Sequence, residues 1–168
     1  MADRAHPLWA NLFRPQPDRL TETARLWKAT PLFRDIPEAE CRALVQEMHF
    51  RSFNPEEPVF RRGDLGAGAV LIRSGRVAVR AGERTLAELE AGDFFGEVAL
   101  VTEETRTADV ISTENSELIF LLRANLEEWV RRSPEHGAQF MANLAKVLAG
   151  RLRHANALLS ERQADHAS

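Results

Sequence analysis

The chain has 168 residues, which is enough for one domain with a substantial core and too few for two ordinary domains. Hydrophobic residues make up 44% and charged residues 28%, so the composition is globular and excludes an intrinsically disordered chain. The formal net charge of -3 provides no overall basic field for nucleic acid or an anionic membrane.

Three further absences from the sequence indicate the compartment. No apolar run is long enough to span a bilayer, and the first residues lack the apolar stretch of a secretory signal. The single cysteine, Cys41, excludes an internal disulfide and fits a reducing compartment. We therefore predict a cytoplasmic protein with no membrane and no nucleic acid among its partners.

The sequence of residues 1–30 indicates a helical and extended segment that precedes the main domain. Its prolines argue against one continuous helix, and Leu20–Trp27 has the spacing of a short helix. A docking surface for the domain or for a partner is predicted from the apolar side chains Trp9, Leu12, Phe13 and Trp27. Asp35–Glu38 has the pattern of the next helix start, with Asp35 as the capping acid. That helix would turn inward Cys41, Leu44, Val45 and Met48.

Residues 48–122 predict a β unit, because glycines recur between short apolar stretches. Many short strands separated by turn residues are typical of a sandwich or a barrel. The predicted strands are Pro58–Phe60, Ala69–Ile72, Val77–Val79, Thr85–Leu89, Ala108–Ile111 and Leu118–Leu122.

Residues 123–160 predict two C-terminal helices, the second of them long. Ser133 and Pro134 suit the cap and the first position of a helix, and an apolar stripe with helical spacing then continues to residue 160. The predicted organisation is a main domain over 31–160 and a tail over 161–168.

The stretch Phe95–Val110 offers the parts of an anion site. Gly96 allows close approach of the backbone to a ligand, and residues 97–100 can form one helical turn whose unpaired N–H groups face an anion. Arg106 supplies a planar fork suited to phosphate oxygens, with the Thr107 hydroxyl beside it. Glu97 is suited to accepting hydrogen bonds from a sugar hydroxyl.

The segments FGEVAL (95–100) and TRTADV (105–110), joined by a short spacer, resemble the phosphate-binding cassette of the cyclic nucleotide-binding domain family. Three landmarks in order resemble other family motifs, at Leu32–Pro37, Val59–Asp64 and Leu71–Val77. The resemblance covers about residues 31–158. It implies a mainly β fold with flanking helices: a β-roll or jelly-roll barrel of about eight antiparallel strands (48–122), N-terminal helices, and two C-terminal helices of which the long one closes over the ligand as a lid.

The resemblance also implies roles for individual residues. Glu97 would take the ribose 2′-hydroxyl, Arg106 would pair with the cyclic phosphate, and Thr107 would contact phosphate or a guanine in the syn form. The ligand would be cAMP or cGMP, held also by backbone groups of Gly96, Val98 and Ala99. The candidate contacts of the nucleotide base on the long lid helix are Val147, Leu148, Arg151 and His154. Thr105 departs from the family pattern, which often has proline there, and no helix-turn-helix follows the long helix in this sequence.

The predicted function is therefore reversible cyclic nucleotide binding by a stand-alone regulatory module that signals through protein contacts. We predict no catalytic residue, no metal and no cofactor, because the histidines and Cys41 show no metal-ligand spacing and no catalytic motif is present. An unidentified effector protein is the expected partner, and the stripe on the long helix offers a seam for a homodimer.

Four alternatives stay open at this point. In the first, Glu97 and Arg106 form an ordinary surface ion pair, and in the second, the domain keeps the fold as a scaffold without a ligand. In the third, the pocket takes a cyclic dinucleotide through Arg106 and the arginines near 151. In the fourth, the chain is an enzyme of unrecognised type.

Overall fold

The computed structural model describes residues 19–166, with side chains as far as residue 161. Within this range, two helices precede the strands, α1 (Arg19–Ala29) and α2 (Glu38–Val45), and a 3₁₀ helix at Pro31–Phe33 lies between them. Two helices follow the strands, α3 (Arg123–Arg132) and α4 (Pro134–His166). The predicted docking residues Trp9, Leu12 and Phe13 lie outside the described residues, as does the end of the predicted tail.

Eight strands form two four-stranded antiparallel sheets, which confirms the predicted fold class. The first sheet has the order β1-β8-β3-β6 and the second the order β2-β7-β4-β5. The strands are β1 (His49–Phe53), β2 (Pro58–Phe60), β3 (Gly68–Ser74), β4 (Arg76–Ala81), β5 (Arg84–Glu90), β6 (Phe94–Phe95), β7 (Asp109–Ser112) and β8 (Ser116–Leu122).

Strand β3 connects the two cores of the molecule, because its alternate side chains face opposite sides of the sheet. Val70 and Ile72 pack into the core between the two sheets, with Phe95 of β6 among their neighbours. Ala69 and Leu71 pack into a second core formed with the helices. That second core contains Trp27 of α1, which is fully buried. The predicted segment boundary at residue 30 thus falls between elements that share one core.

The structure corrects the predicted start of α2 and adds to the predicted strands. Pro37 precedes the first turn of α2, and Asp35 lies outside it with a φ of 62°, so the interpretation of Asp35 as the helix cap was wrong. Strands β1 and β6 were not among the predicted stretches. No helix among residues 19–166 is both long enough and apolar enough to cross a membrane.

Helix α4 is 33 residues long and takes in residues 161–166 of the predicted tail. Its first half packs on the domain, where Phe140 and Leu144 are buried. From Arg151 to Glu161 every residue is exposed. Beyond Arg151, the distal half of α4 is therefore exposed as far as its side chains are described.

Candidate functional site

A cavity of about 360 Å³ opens between the second sheet and the 3₁₀ helix Glu97–Leu100, which we call the Glu97 turn. This volume is within the range of small-ligand sites. The cavity is lined by all six residues that the sequence predicted to bind ligand, namely Gly96, Glu97, Val98, Ala99, Arg106 and Thr107.

Gly96 has a left-handed backbone, with a φ of 73° and a ψ of 14°, and precedes the Glu97 turn. A Cβ atom at this position would lie 2.7 Å from Nη1 of Arg106. A residue with a side chain would thus be strained and would displace the guanidinium. The Ala99 amide donates to the Gly96 carbonyl at 3.1 Å, which closes the predicted helical turn directly beside the cavity.

The Arg106 guanidinium is held in a fixed orientation by the protein itself. Nη2 donates to the Gly68 carbonyl at 2.8 Å and Nη1 to the Gly96 carbonyl at 3.2 Å. Cζ lies 4.2 Å from the ring centroid of Phe60, a distance typical of a cation–π contact. These two bonds use two of the five N–H donors of the guanidinium, and the described residues provide no partner for the other three.

The electrostatic surroundings of Arg106 are mixed. Burial lowers the pKa of the Arg106 guanidinium, and the carboxylates of Glu97 and Asp64 oppose that shift. A guanidinium stays protonated at neutral pH. The cavity thus contains a partly buried cation whose remaining donors are available to an anion.

The Glu97 carboxylate is almost fully buried, with 2% of the residue exposed. Nη1 of Arg151 lies 2.8 Å from Oε1 and 2.9 Å from Oε2 of this carboxylate. Nη2 of Arg151 also donates to the Phe94 carbonyl at 3.0 Å. Among the described residues the ion-pair partner of Glu97 is therefore Arg151, and the alternative of a surface pair between Glu97 and Arg106 is not what the structure contains.

The four side chains of the long helix that were predicted to contact the base lie in different environments. Arg151 lines the cavity. Val147 and Leu148 are partly buried against the helical core, and His154 is exposed on the distal half of α4. The structure thus brings only one of these four residues to the cavity. Thr107, which lies between the Glu97 turn and β7, is exposed and also lines the cavity.

Sequence reasoning missed several residues around the cavity. Val79 of β4 and Ala87 and Leu89 of β5 form an apolar wall, and the alternation along β5 was the signal that could have identified it. Phe60 lies under the Arg106 guanidinium, which no sequence pattern indicated. Among the described side chains, no group of three His, Cys, Asp or Glu residues is placed to hold a metal ion.

Comparison with known proteins places this geometry in a family. Residues 50–133 match the family model of the cyclic nucleotide-binding domain. A cyclic AMP receptor protein of Thermus thermophilus is 35% identical over 134 residues, which are 77% of this chain and 60% of that protein. A cGMP-dependent protein kinase of Plasmodium berghei is 31% identical over 98 residues, which are 58% of this chain and 10% of the kinase.

A solved structure agrees with these matches. The crystal structure of the Thermus thermophilus catabolite activator protein has a TM-score of 0.69 and 34% identity to this chain, and the match covers 78% of this chain and 62% of that one. The chain spans less than two thirds of each of these relatives. On the family match and the shared fold, this chain belongs to the cyclic nucleotide-binding domain family, a regulatory ligand-binding fold rather than a catalytic one.

Proposed function

We propose that this chain binds cAMP or cGMP reversibly and acts as a ligand-sensing regulatory module, not as an enzyme. The observation that carries the proposal is that one cavity contains both a partly buried guanidinium with available donors and a buried carboxylate. A cyclic nucleotide has an anionic phosphate and a ribose hydroxyl close together, and these two protein groups match them in charge and hydrogen bonding.

Each part of the ligand has a proposed position in the cavity. The cyclic phosphate pairs with Arg106 and with backbone groups of Gly96, Val98 and Ala99. The ribose 2′-hydroxyl donates to Glu97. The base lies along the apolar wall of Val79, Ala87 and Leu89, with Arg151 and the Thr107 hydroxyl within the same cavity.

A cyclic mononucleotide suits this cavity better than a cyclic dinucleotide. Arg106 provides one cation with available donors, whereas Arg151 is already paired with Glu97. Glu104 also lines the cavity and adds a negative charge, which opposes a second phosphate. The two mononucleotides are not distinguished by these contacts, so the preference between cAMP and cGMP has to be measured.

Arg151 links the proposed ligand cavity to helix α4. It lies on α4 and contacts Glu97 in the cavity, so a ribose hydroxyl that takes a Glu97 oxygen changes how α4 is held. We propose that the ligand rearranges the Glu97 turn, α3 and α4 in this way. It can shift that equilibrium only by its difference in affinity between the two arrangements.

The distal half of α4 is the proposed surface for protein contacts. Leu152, Leu158 and Leu159 are 62%, 45% and 57% exposed. With Ala155 they lie at helical spacing on the exposed segment of α4 that follows Arg151. A homodimer through this face, or an effector protein docked on it, would bury these side chains.

Calorimetric titration with cAMP, cGMP and cyclic di-GMP tests the ligand proposal. We expect one of the two mononucleotides to bind, its affinity to fall in Arg106→Ala, and the bound nucleotide to be recovered chemically unchanged. No binding of any of the three by the folded wild type would refute the sensor and leave the scaffold alternative. Turnover of the nucleotide would refute the claim that the chain is not an enzyme.

Sedimentation equilibrium tests the dimer. We expect the wild type to associate, and a Leu152→Lys, Leu159→Lys double variant to be monomeric with unchanged nucleotide affinity. A wild type that is monomeric at every concentration measured would refute the homodimer and leave an effector protein as the occupant of this face.

A further inference from the structure

Arg123, the first residue of α3, contacts the Glu97 turn from outside the cavity. Its Nη1 donates to the Ala99 carbonyl at 3.2 Å and to the Thr102 carbonyl, and Nη2 donates to the Glu103 carboxylate at 3.3 Å. The Arg123 side chain is only 19% exposed. These carbonyls belong to the C-terminal end of the Glu97 turn and to the residues that follow it.

The two ends of the Glu97 turn are held by two different arginines. Arg106 donates to the Gly96 carbonyl at the N-terminal end, and Arg123 donates to the Ala99 carbonyl at the C-terminal end. Both arginines are also bonded to the chain where β3 begins, at Gly68 and at the residue before it. Nη2 of Arg106 donates to the Gly68 carbonyl at 2.8 Å, and the backbone amide of Arg123 donates to the Ala67 carbonyl at 2.8 Å.

A turn of this length depends on such outside contacts. A helix of four residues makes too few internal hydrogen bonds to be stable alone. The last carbonyls of a helix have no partner within it and carry partial negative charge, so a cation there stabilises the turn and satisfies them. The Glu103 pair is more exposed and contributes less.

We propose that Arg123 is a positioning residue for the nucleotide site. It holds the Glu97 turn in the orientation that binds sugar and phosphate, and it links the position of that turn to the first residue of α3. This proposal rests on the proposed function, because it assigns Arg123 a part in nucleotide affinity without contact to the nucleotide.

The test compares Arg123→Gln with Arg131→Gln. Both residues lie on α3, but Arg131 is exposed and, among the described residues, pairs with Glu128 on the same helix. Nucleotide affinity for cAMP and cGMP is measured by calorimetry, and amide hydrogen exchange is measured with and without nucleotide. Exchange separates positioning from a general loss of stability, because it reports the Glu97 turn and α3 individually.

We expect Arg123→Gln to weaken binding of the preferred nucleotide by about tenfold or more, the order expected for loss of charged hydrogen bonds. Without ligand, the amides of Ala99, Val101 and Thr102 should exchange faster. At saturating nucleotide, the Glu97 turn should still be protected, while the protection that the nucleotide induces in α3 should be lost. Arg131→Gln should change none of these quantities, and Arg123→Lys should recover part of the affinity.

Unchanged affinity and unchanged exchange in folded Arg123→Gln would overturn the proposal. If that variant does not fold, Arg123→Lys is measured instead: weaker binding supports the proposal and wild-type binding overturns it. A wild type that binds no nucleotide refutes the proposed function alone. In that event faster exchange of the Glu97 turn in Arg123→Gln still supports the holding role, and unchanged exchange overturns it.

Discussion

Replacing Arg106 should separate its contribution to ligand affinity from its contribution to the fold. In the proposed complex the ligand phosphate pairs with a guanidinium that is already oriented by the Gly68 and Gly96 carbonyls and by the Phe60 ring. Truncating one partner of a buried, hydrogen-bonded charge pair costs about 2 to 5 kcal/mol. For Arg106→Ala this corresponds to a dissociation constant raised by roughly 30- to 5,000-fold.

The same substitution should lower the free energy of unfolding by a smaller amount. It removes the Arg106 donors from the Gly68 and Gly96 carbonyls, although the Gly96 carbonyl keeps the Ala99 amide as a donor. We expect this loss to cost about 1 to 3 kcal/mol. Arg106→Lys keeps the charge but cannot donate to both carbonyls and to a phosphate in one plane. We therefore expect Arg106→Lys to bind more weakly than the wild type and more tightly than Arg106→Ala.

Calorimetry and urea denaturation on the same samples measure both quantities. Arg76→Ala is the matched control, because Arg76 is a half-exposed arginine of β4 that pairs with Glu90 outside the cavity. A folded Arg106→Ala variant that binds within about threefold of the wild type would refute the assignment of the phosphate to Arg106, since that change is less than 1 kcal/mol.

Three further predictions concern the turn, the lid contact and the helical core. Gly96→Ala should lower the free energy of unfolding by about 1 to 2 kcal/mol because of its φ of 73°, as urea denaturation would show, and should weaken nucleotide binding. Arg151→Gln should lower the free energy of unfolding by about 1 to 3 kcal/mol, because it leaves the Glu97 carboxylate buried without its cation; the loss is limited because Arg151 is half-exposed. Adding Glu97→Gln to this variant should recover part of the lost stability, and a further loss would contradict the reasoning. Burial raises the pKa of the Cys41 thiol from 9.0 to about 12. The folded state therefore retains this proton where the unfolded state loses it, so stability relative to Cys41→Ala should be constant below about pH 8 and fall by about 1.4 kcal/mol per pH unit between about pH 9 and pH 12. A pH-independent difference would contradict it.

Much of the β unit was predictable because its pattern is local. Strand β2 coincides with the predicted Pro58–Phe60, and β7 is shifted by one residue from the predicted Ala108–Ile111. Strands β3, β4, β5 and β8 extend the predicted stretches by one or two residues at one end or at both. Strand β6 was not predictable from its two residues alone. Phe94 and Phe95 form a strand because they pair with Leu71 and Val70 of β3, and that pairing is non-local.

Three of the cavity-lining residues were predictable for a different reason, since Gly96, Glu97 and Arg106 lie within eleven positions of one another. The ion-pair partner of Glu97 was not, because Arg151 lies 54 residues away on α4. The position of Arg151 depends on how α4 packs on the helical core through Phe140 and Leu144. A helical stripe in the sequence gives the faces of α4 but not its direction across the domain, so Val147, Leu148, Arg151 and His154 could not be ranked.

The departure from the family pattern at Thr105 has a structural compensation. A proline there would restrict the backbone ahead of Arg106, an effect worth about 0.4 to 1 kcal/mol through the unfolded chain. In this chain the same loop is bonded to residues 63–66 by three backbone hydrogen bonds: Gly63 amide to Arg106 carbonyl at 2.9 Å, Arg106 amide to Asp64 carbonyl at 2.8 Å, and Gly66 amide to Glu104 carbonyl at 3.1 Å. Each contributes about 1 kcal/mol. Because these bonds flank Thr105 on both sides, the orientation of Arg106 depends on pairing with the preceding loop, and proline is not required to obtain it.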